Sequence, residues 1–122
     1  MYIDGFVLPV ATKNMKTYQR LARAASKVWM QHGAIAYFEA AGDDMNAPGM
    51  VAFPAMVGAK KSDTVVFAWA MFKNKAARDR ANKGIMSDPH LAKLIAGMGK
   101  KMPMDCKRMA YGGFKVIVEG KA

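Results

Sequence analysis

Two titratable side chains stand where their surroundings constrain what they can do. Asp4 lies inside the apolar stretch Tyr2 to Val10. A carboxylate in such a place must be hydrogen-bonded, ion-paired or driven toward its protonated form. It is a candidate general base or ligand-orienting acceptor; the competing role is a structural partner for Arg108 or a tyrosine hydroxyl. His32 ends the apolar stripe of a predicted helix, where the helix dipole favours an imidazolium, so a helix-end role competes with a catalytic one. These two are the catalytic candidates. Tyr18, Trp69, Arg108 and Tyr111 are the ligand-binding candidates around them. Aromatic groups with polar tips, Trp29 and Tyr37 included, suit a pocket wall as well as a core.

The remaining signals exclude more than they assign. His90 follows Asp88-Pro89 in a helix's first turn and reads as a surface residue. Two histidines without HxH or HExxH spacing give no metal site, and no cofactor is expected. Asp43-Asp44 reads as a solvated pair. Gly97-x-Gly99 and Gly112-Gly113 lack the spacing of a nucleotide-binding loop, and no nucleophile elbow is found. Cys106 is the only cysteine, which rules out an internal disulfide. Lys107 and Arg108 beside it can lower its pKa, though an ordinary loop thiol is the simpler reading. Whether the protein is an enzyme stays open.

Positioning these residues requires a fold, and 122 residues suffice for one domain spanning 1–122. With 52% apolar and 23% charged residues the chain is expected to fold. No apolar run reaches the ~20 residues of a membrane-spanning helix, and the start carries no export signal, so a cytoplasmic protein is expected. The formal charge of +10 supports association with polyanions.

Tyr2 to Val10 predicts a strand. Asn14 offers an N-cap for a helix in which Met15, Tyr18, Ala22, Ala25, Trp29 and His32 recur at helical steps, while Lys16, Arg20, Arg23 and Lys27 line another face. Gly33 stops it. Ala34 to Ala41 predicts a second strand. Gly42 to Ser62 is a long connection in which Phe53-Pro54 and Met56-Val57 suit a short extended piece. Thr64 to Phe72 is a third strand. Asn74 caps a helix to Met86 with Ala77, Ala81 and Ile85 inward, and Asp88-Pro89 opens a short helix ended by Gly97 and Gly99. Arg108 to Glu119 is the last strand, with a bulge or close backbone approach expected at Gly112-Gly113. The order is an α+β, ferredoxin-like βαββαβ fold: an antiparallel four-stranded sheet with both helices on one face.

A sheet with one wet face alternates apolar and polar residues, and these strands do not. Val65, Phe67, Trp69 and Met71 oppose Val66, Ala68, Ala70 and Phe72; Phe6, Leu8 and Val10 oppose Ile3 and Val7. Two helices cover one face, so a second copy is expected on the other, making a homodimer.

The residues Tyr2-Ile3-Asp4-Gly5-Phe6-Val7, Val28-Trp29, His32-Gly33-Ala34, Asp43-Asp44 and Phe53-Pro54 carry a resemblance across nearly the whole chain. It continues in Val65-Val66-Phe67-Ala68-Trp69, Arg78-Asp79-Arg80 with Asn82, and Lys107-Arg108-Met109-Ala110-Tyr111-Gly112-Gly113-Phe114. With these the chain resembles the bacterial YbaA-like family of unknown function, among the dimeric α/β barrels. The resemblance implies a ferredoxin-like dimer and no established activity; Ala40 stands where many members are expected to carry cysteine. The leading functional expectation is a homodimer binding a small aromatic or anionic metabolite between sheet and helices. The alternatives are a basic, non-enzymatic protein associating with RNA or another acidic partner, and a structural or stress-related dimer without ligand. The lysine and arginine side chains would reach phosphates only, so nucleic-acid binding would be weak and salt-dependent.

Overall fold

The computed structural model describes residues 1–122. Its framework is one sheet in the order β2-β3-β1-β4, built from β1 (Tyr2–Ala11), β2 (Ala36–Ala41), β3 (Asp63–Phe72) and β4 (Ala110–Lys115). Every neighbouring pair is antiparallel. The two central strands are rich in β-branched and aromatic residues, and they pair from Tyr2 opposite Phe72 to Ala11 opposite Asp63. Helix α1 (Met15–Gln31) joins β1 to β2, a single turn α2 (Phe53–Met56) interrupts the long connection, and α3 (Lys75–Met86) and α4 (Pro89–Met98) precede β4. This is the expected βαββαβ order, with α4 as the extra helix.

Even-numbered residues of β1 and β3 face the helices. Leu8, Val10 and Val66 pack with Tyr18 and Ala22 of α1; Ala70 and Phe72 pack with Val28, Ala34, Ala81 and Ile85. Helix α1 is amphipathic as its spacing predicts, burying Leu21 and Val28 while Lys16, Arg20, Arg23 and Lys27 lie in solvent. Asn74 caps α3 by accepting from the Ala77 N–H at 2.8 Å, and Asp88 caps α4 by accepting from His90 and Leu91. Asn14, by contrast, makes no capping bond: Thr12–Asn14 form a 3-10 turn that runs straight into α1.

Other boundaries shift for identifiable reasons. β4 ends at Lys115 rather than Glu119 because its only neighbour is β1, which begins at Tyr2 opposite Lys115. One further bond, from the Val116 N–H to the Met1 carbonyl at 3.1 Å, exhausts the template. β4 starts at Ala110 rather than Arg108 because Cys106–Arg108 form a 3-10 turn whose first amides Asp105 caps. β2 starts at Ala36 because Gly33, at φ +113°, turns the chain out of α1 before the strand can begin. Phe53–Met56 is helical rather than extended, with Pro54 in its first turn, where a fixed φ and a missing N–H cost nothing.

The opposite sheet face carries no long helix. Ile3 and Val7 of β1, Phe67, Trp69 and Met71 of β3, Phe38 of β2 and Phe114 of β4 share it. Phe38 stacks on Trp69 with ring centroids 4.9 Å apart, and Phe67 lies 5.0 Å from Trp69 on the other side. Phe53 of α2 approaches Phe67 at 6.3 Å and shelters that end alone. Phe67, Phe38 and Phe114 remain 44%, 51% and 60% exposed. No helix of the chain is long and apolar enough to cross a membrane.

Candidate functional site

The helix-side layer holds two polar clusters. The first is built on Asp4, only 1% exposed in the middle of the sheet. Its Oδ1 accepts from Arg78 Nη1 at 2.7 Å and from the Tyr111 hydroxyl at 3.0 Å, and its Oδ2 accepts weakly from Asn82 at 3.4 Å. Arg78 also donates to the Tyr111 oxygen at 2.9 Å and to Asp79 at 2.9 Å, and its guanidinium lies 4.6 Å from the centre of the Tyr2 ring. Burial opposes the charge on Arg78, but the Asp79 hydrogen bond and the Asp4 carboxylate outweigh it and hold the guanidinium firmly protonated. Burial, with the Asp4 charge behind it, raises the Tyr111 phenol above its ordinary range and keeps it a donor. Gly113 makes room for this: a Cβ there would sit 2.6 Å from the Tyr2 oxygen and 2.9 Å from Arg78 Nη1. The close approach expected at Gly112-Gly113 is thus a guanidinium and a phenol lying over β4.

The second cluster is built on Glu39 of β2. Its two carboxylate oxygens accept separately from Tyr18 at 2.5 Å and Tyr37 at 2.6 Å. Burial first, then Glu39, pushes both phenols well above the usual tyrosine range, so both hydroxyls stay protonated donors. Glu39 has no cationic partner within ion-pair distance.

Two adjoining cavities lie between these clusters and the helices. The larger, about 850 Å³, is bordered by Asp4, Asn82, Tyr111, Ile85 and Asp88. The smaller, about 270 Å³, is bordered by Tyr18, Tyr37, Glu39, Leu21 and Met102. Phe6, Trp29, Leu91, Ile95, Cys106 and Met109 wall both. Among all these residues stands no lysine, arginine or histidine, although the chain carries +10 overall. Trp29 adds an unusual feature: its Nε1 is fully buried and has no acceptor. Such an unpaired donor costs about 1–3 kcal/mol in a folded protein.

The predicted site residues therefore divide. Asp4 and Tyr111 are joined by a hydrogen bond, and Tyr18 lines the neighbouring cavity. His32 does not face the site: its Nε2 pairs with Asp88 Oδ2 at 2.7 Å and braces the start of α4. That pairing, against opposing burial and with help from the Leu91 and His90 amides, holds the Asp88 carboxyl below the usual carboxylate range. Trp69 belongs to the opposite sheet face. Arg108 does not pair with Asp4; it donates to the Gly58 carbonyl at 2.8 Å and to Asp63 at 3.2 Å, pinning the connection after α2. Arg78 holds the place expected for it. Its position was available from spacing, since residues 78, 81, 82 and 85 share one helical face and Ala81 and Ile85 point inward. Glu39 was likewise signalled by standing two residues from Tyr37 in a strand, on the same face.

Comparison with known proteins places this architecture. Residues 1–106 match the family described as protein of unknown function DUF1428, and the chain belongs to that family. It is 35% identical to the uncharacterized protein YbaA of Escherichia coli K12 over 118 residues, covering 97% of each chain. Among solved structures it is similar to a dimeric ferredoxin-like protein from an uncultured marine organism, with TM-score 0.65, 8% identity and full coverage of both chains. A candidate antibiotic biosynthesis monooxygenase from Deinococcus radiodurans matches with TM-score 0.59 and 12% identity over 100% of this chain and 98% of that one. At such identities the likeness concerns the fold alone.

Proposed function

We propose that this DUF1428 protein is a cytoplasmic homodimer that binds a small molecule in the cavities between its sheet and its helices, the open sheet face being taken by the second copy. The observation that carries the ligand reading is the pair of adjoining cavities left between sheet and helices, walled mostly by apolar side chains. Asp4, Asn82 and Tyr111 at one end and Glu39 with two tyrosines at the other supply further polar contacts around an apolar middle.

The dimer reading is supported by the exposed phenylalanines of the open face, by the lack of any polar anchor among them, and by the dimeric description of the marine neighbour. A lone cysteine without a disulfide suits a reducing compartment. Native mass spectrometry of protein purified from its own host, followed by denaturation and small-molecule analysis, tests the ligand reading. A copurified compound that is retained by wild type and lost from Leu91→Trp, which puts a larger ring into the wall shared by both cavities, is the expected result. Equal recovery from the two proteins contradicts it.

A further inference from the structure

We infer that the cavity beside Glu39 takes a compact apolar molecule bearing a protonated amine, not an anion, because the one carboxylate of the layer without a basic side-chain partner faces a cavity with no cation in its wall. This rests on the reading of the cavities as a ligand site and names the class of ligand.

Three carboxylates border the two cavities, and two are already matched. Asp4 is bound by Arg78, and Asp88 by His32 and the first amides of α4. Glu39 meets only neutral donors, the hydroxyls of Tyr18 and Tyr37. A carboxylate has about four lone-pair sites, and two hydrogen bonds leave the others open. Arg23 borders a shallow outer hollow together with Glu39, but it points into solvent and forms no ion pair there. A second anion entering this space would face Glu39 without compensation, while an ammonium would complete the set in a partly desolvated position where attraction is strong.

The remainder of the wall describes the rest of the molecule. Leu21, Leu91, Ile95 and Met109 offer only hydrocarbon and thioether surface, and about 270 Å³ admits a single ring with a short arm. Trp29 and Tyr37, with ring centroids 5.8 Å apart, both border this cavity, and aromatic rings favour a cation. The outer surface is basic and would concentrate anions, so the cavity selects against what the surface attracts.

Three probes with one ring and three charges test this: 2-phenylethylamine, 2-phenylethanol and phenylacetate, titrated onto the full chain by ligand-observed NMR. The expected result is an amine at least about tenfold tighter than phenylacetate, a preference worth one charge-assisted contact. Glu39→Gln, whose carbonyl still accepts from one tyrosine while its amide N–H donates to the other tyrosine's oxygen, should bring the amine down to the level of the alcohol and leave the alcohol unchanged. Phenylacetate binding as tightly as the amine, or an amine indifferent to Glu39→Gln, overturns the inference while leaving the ligand site standing. Failure of all three probes to bind wild type overturns the ligand reading itself. Should Glu39→Gln not fold, equal affinity of amine and alcohol for wild type still overturns the inference.

Discussion

The two faces of the sheet are both apolar, yet they are built to different ends. On the helix side, Phe72, Leu8 and Val10 are essentially unexposed, and every polar group among them is accounted for except Trp29 Nε1. On the other side, aromatic residues of the same size pack on one another across two strands and still meet solvent. The first face has cavities with polar rims; the second has a hollow of about 560 Å³ with almost nothing in it to hydrogen-bond. An apolar surface without polar anchors suits another such surface, whereas cavities with fixed donors and acceptors suit a small molecule. The contrast separates assembly from binding within one thin layer of backbone.

Substitutions on the helix side should cost stability at any protein concentration. Phe72→Ala, at 0% exposure, is expected to lose about 3–5 kcal/mol in urea unfolding. Arg78→Ala should cost a similar amount, about 3–5 kcal/mol, by leaving Asp4 buried and unpaired; adding Asp4→Asn should recover much of the loss. A double variant as unstable as Arg78→Ala alone would show that packing, not charge, accounts for the effect.

Smaller effects sharpen the picture around His32. A Cβ at residue 84 would lie 2.3 Å from His32 Nδ1, so Gly84→Ala must displace the ring from Asp88; about 1–3 kcal/mol is expected, read by thermal unfolding. The smallest effect concerns pH. Because the folded-state pKa of Asp88 is depressed, its contribution is complete above the unfolded value, about 4, and disappears as pH falls through the lower folded value. Asp88→Asn keeps a capping side chain but removes this dependence. Urea midpoints of wild type should therefore fall more steeply than those of the variant below about pH 4.

The fold was legible because its signals were local and repeated: runs of β-branched and aromatic residues in β1 and β3, and three- and four-residue steps in α1 and α3. The two-sided apolar pattern of the strands revealed the open face before any coordinate did. What the sequence hid was pairing across the layer. The sequence calls for Arg108 or a tyrosine hydroxyl beside Asp4; the hydroxyl is that of Tyr111, but the cation is Arg78, because which of many cations arrives depends on where α3 packs. The pairing of Glu39 with Tyr18 carries no mark in the sequence alone, because that partner reaches it from a different element. Trp69 was assigned to a pocket through its type, while its odd register position had already set it on the other face. The C-terminal end of β4 is hidden in the sequence because an edge strand stops where its template stops, and composition carries no trace of that.

The contrast between the faces is tested most directly by sedimentation equilibrium of wild type and Phe67→Glu at micromolar concentration. Wild type is expected as a dimer, and the variant as a folded monomer with dimerisation weakened by at least about 100-fold, because a charge is placed within the aromatic patch that the second copy covers. A wild type that sediments as a monomer, with its phenylalanines bare, would contradict the account.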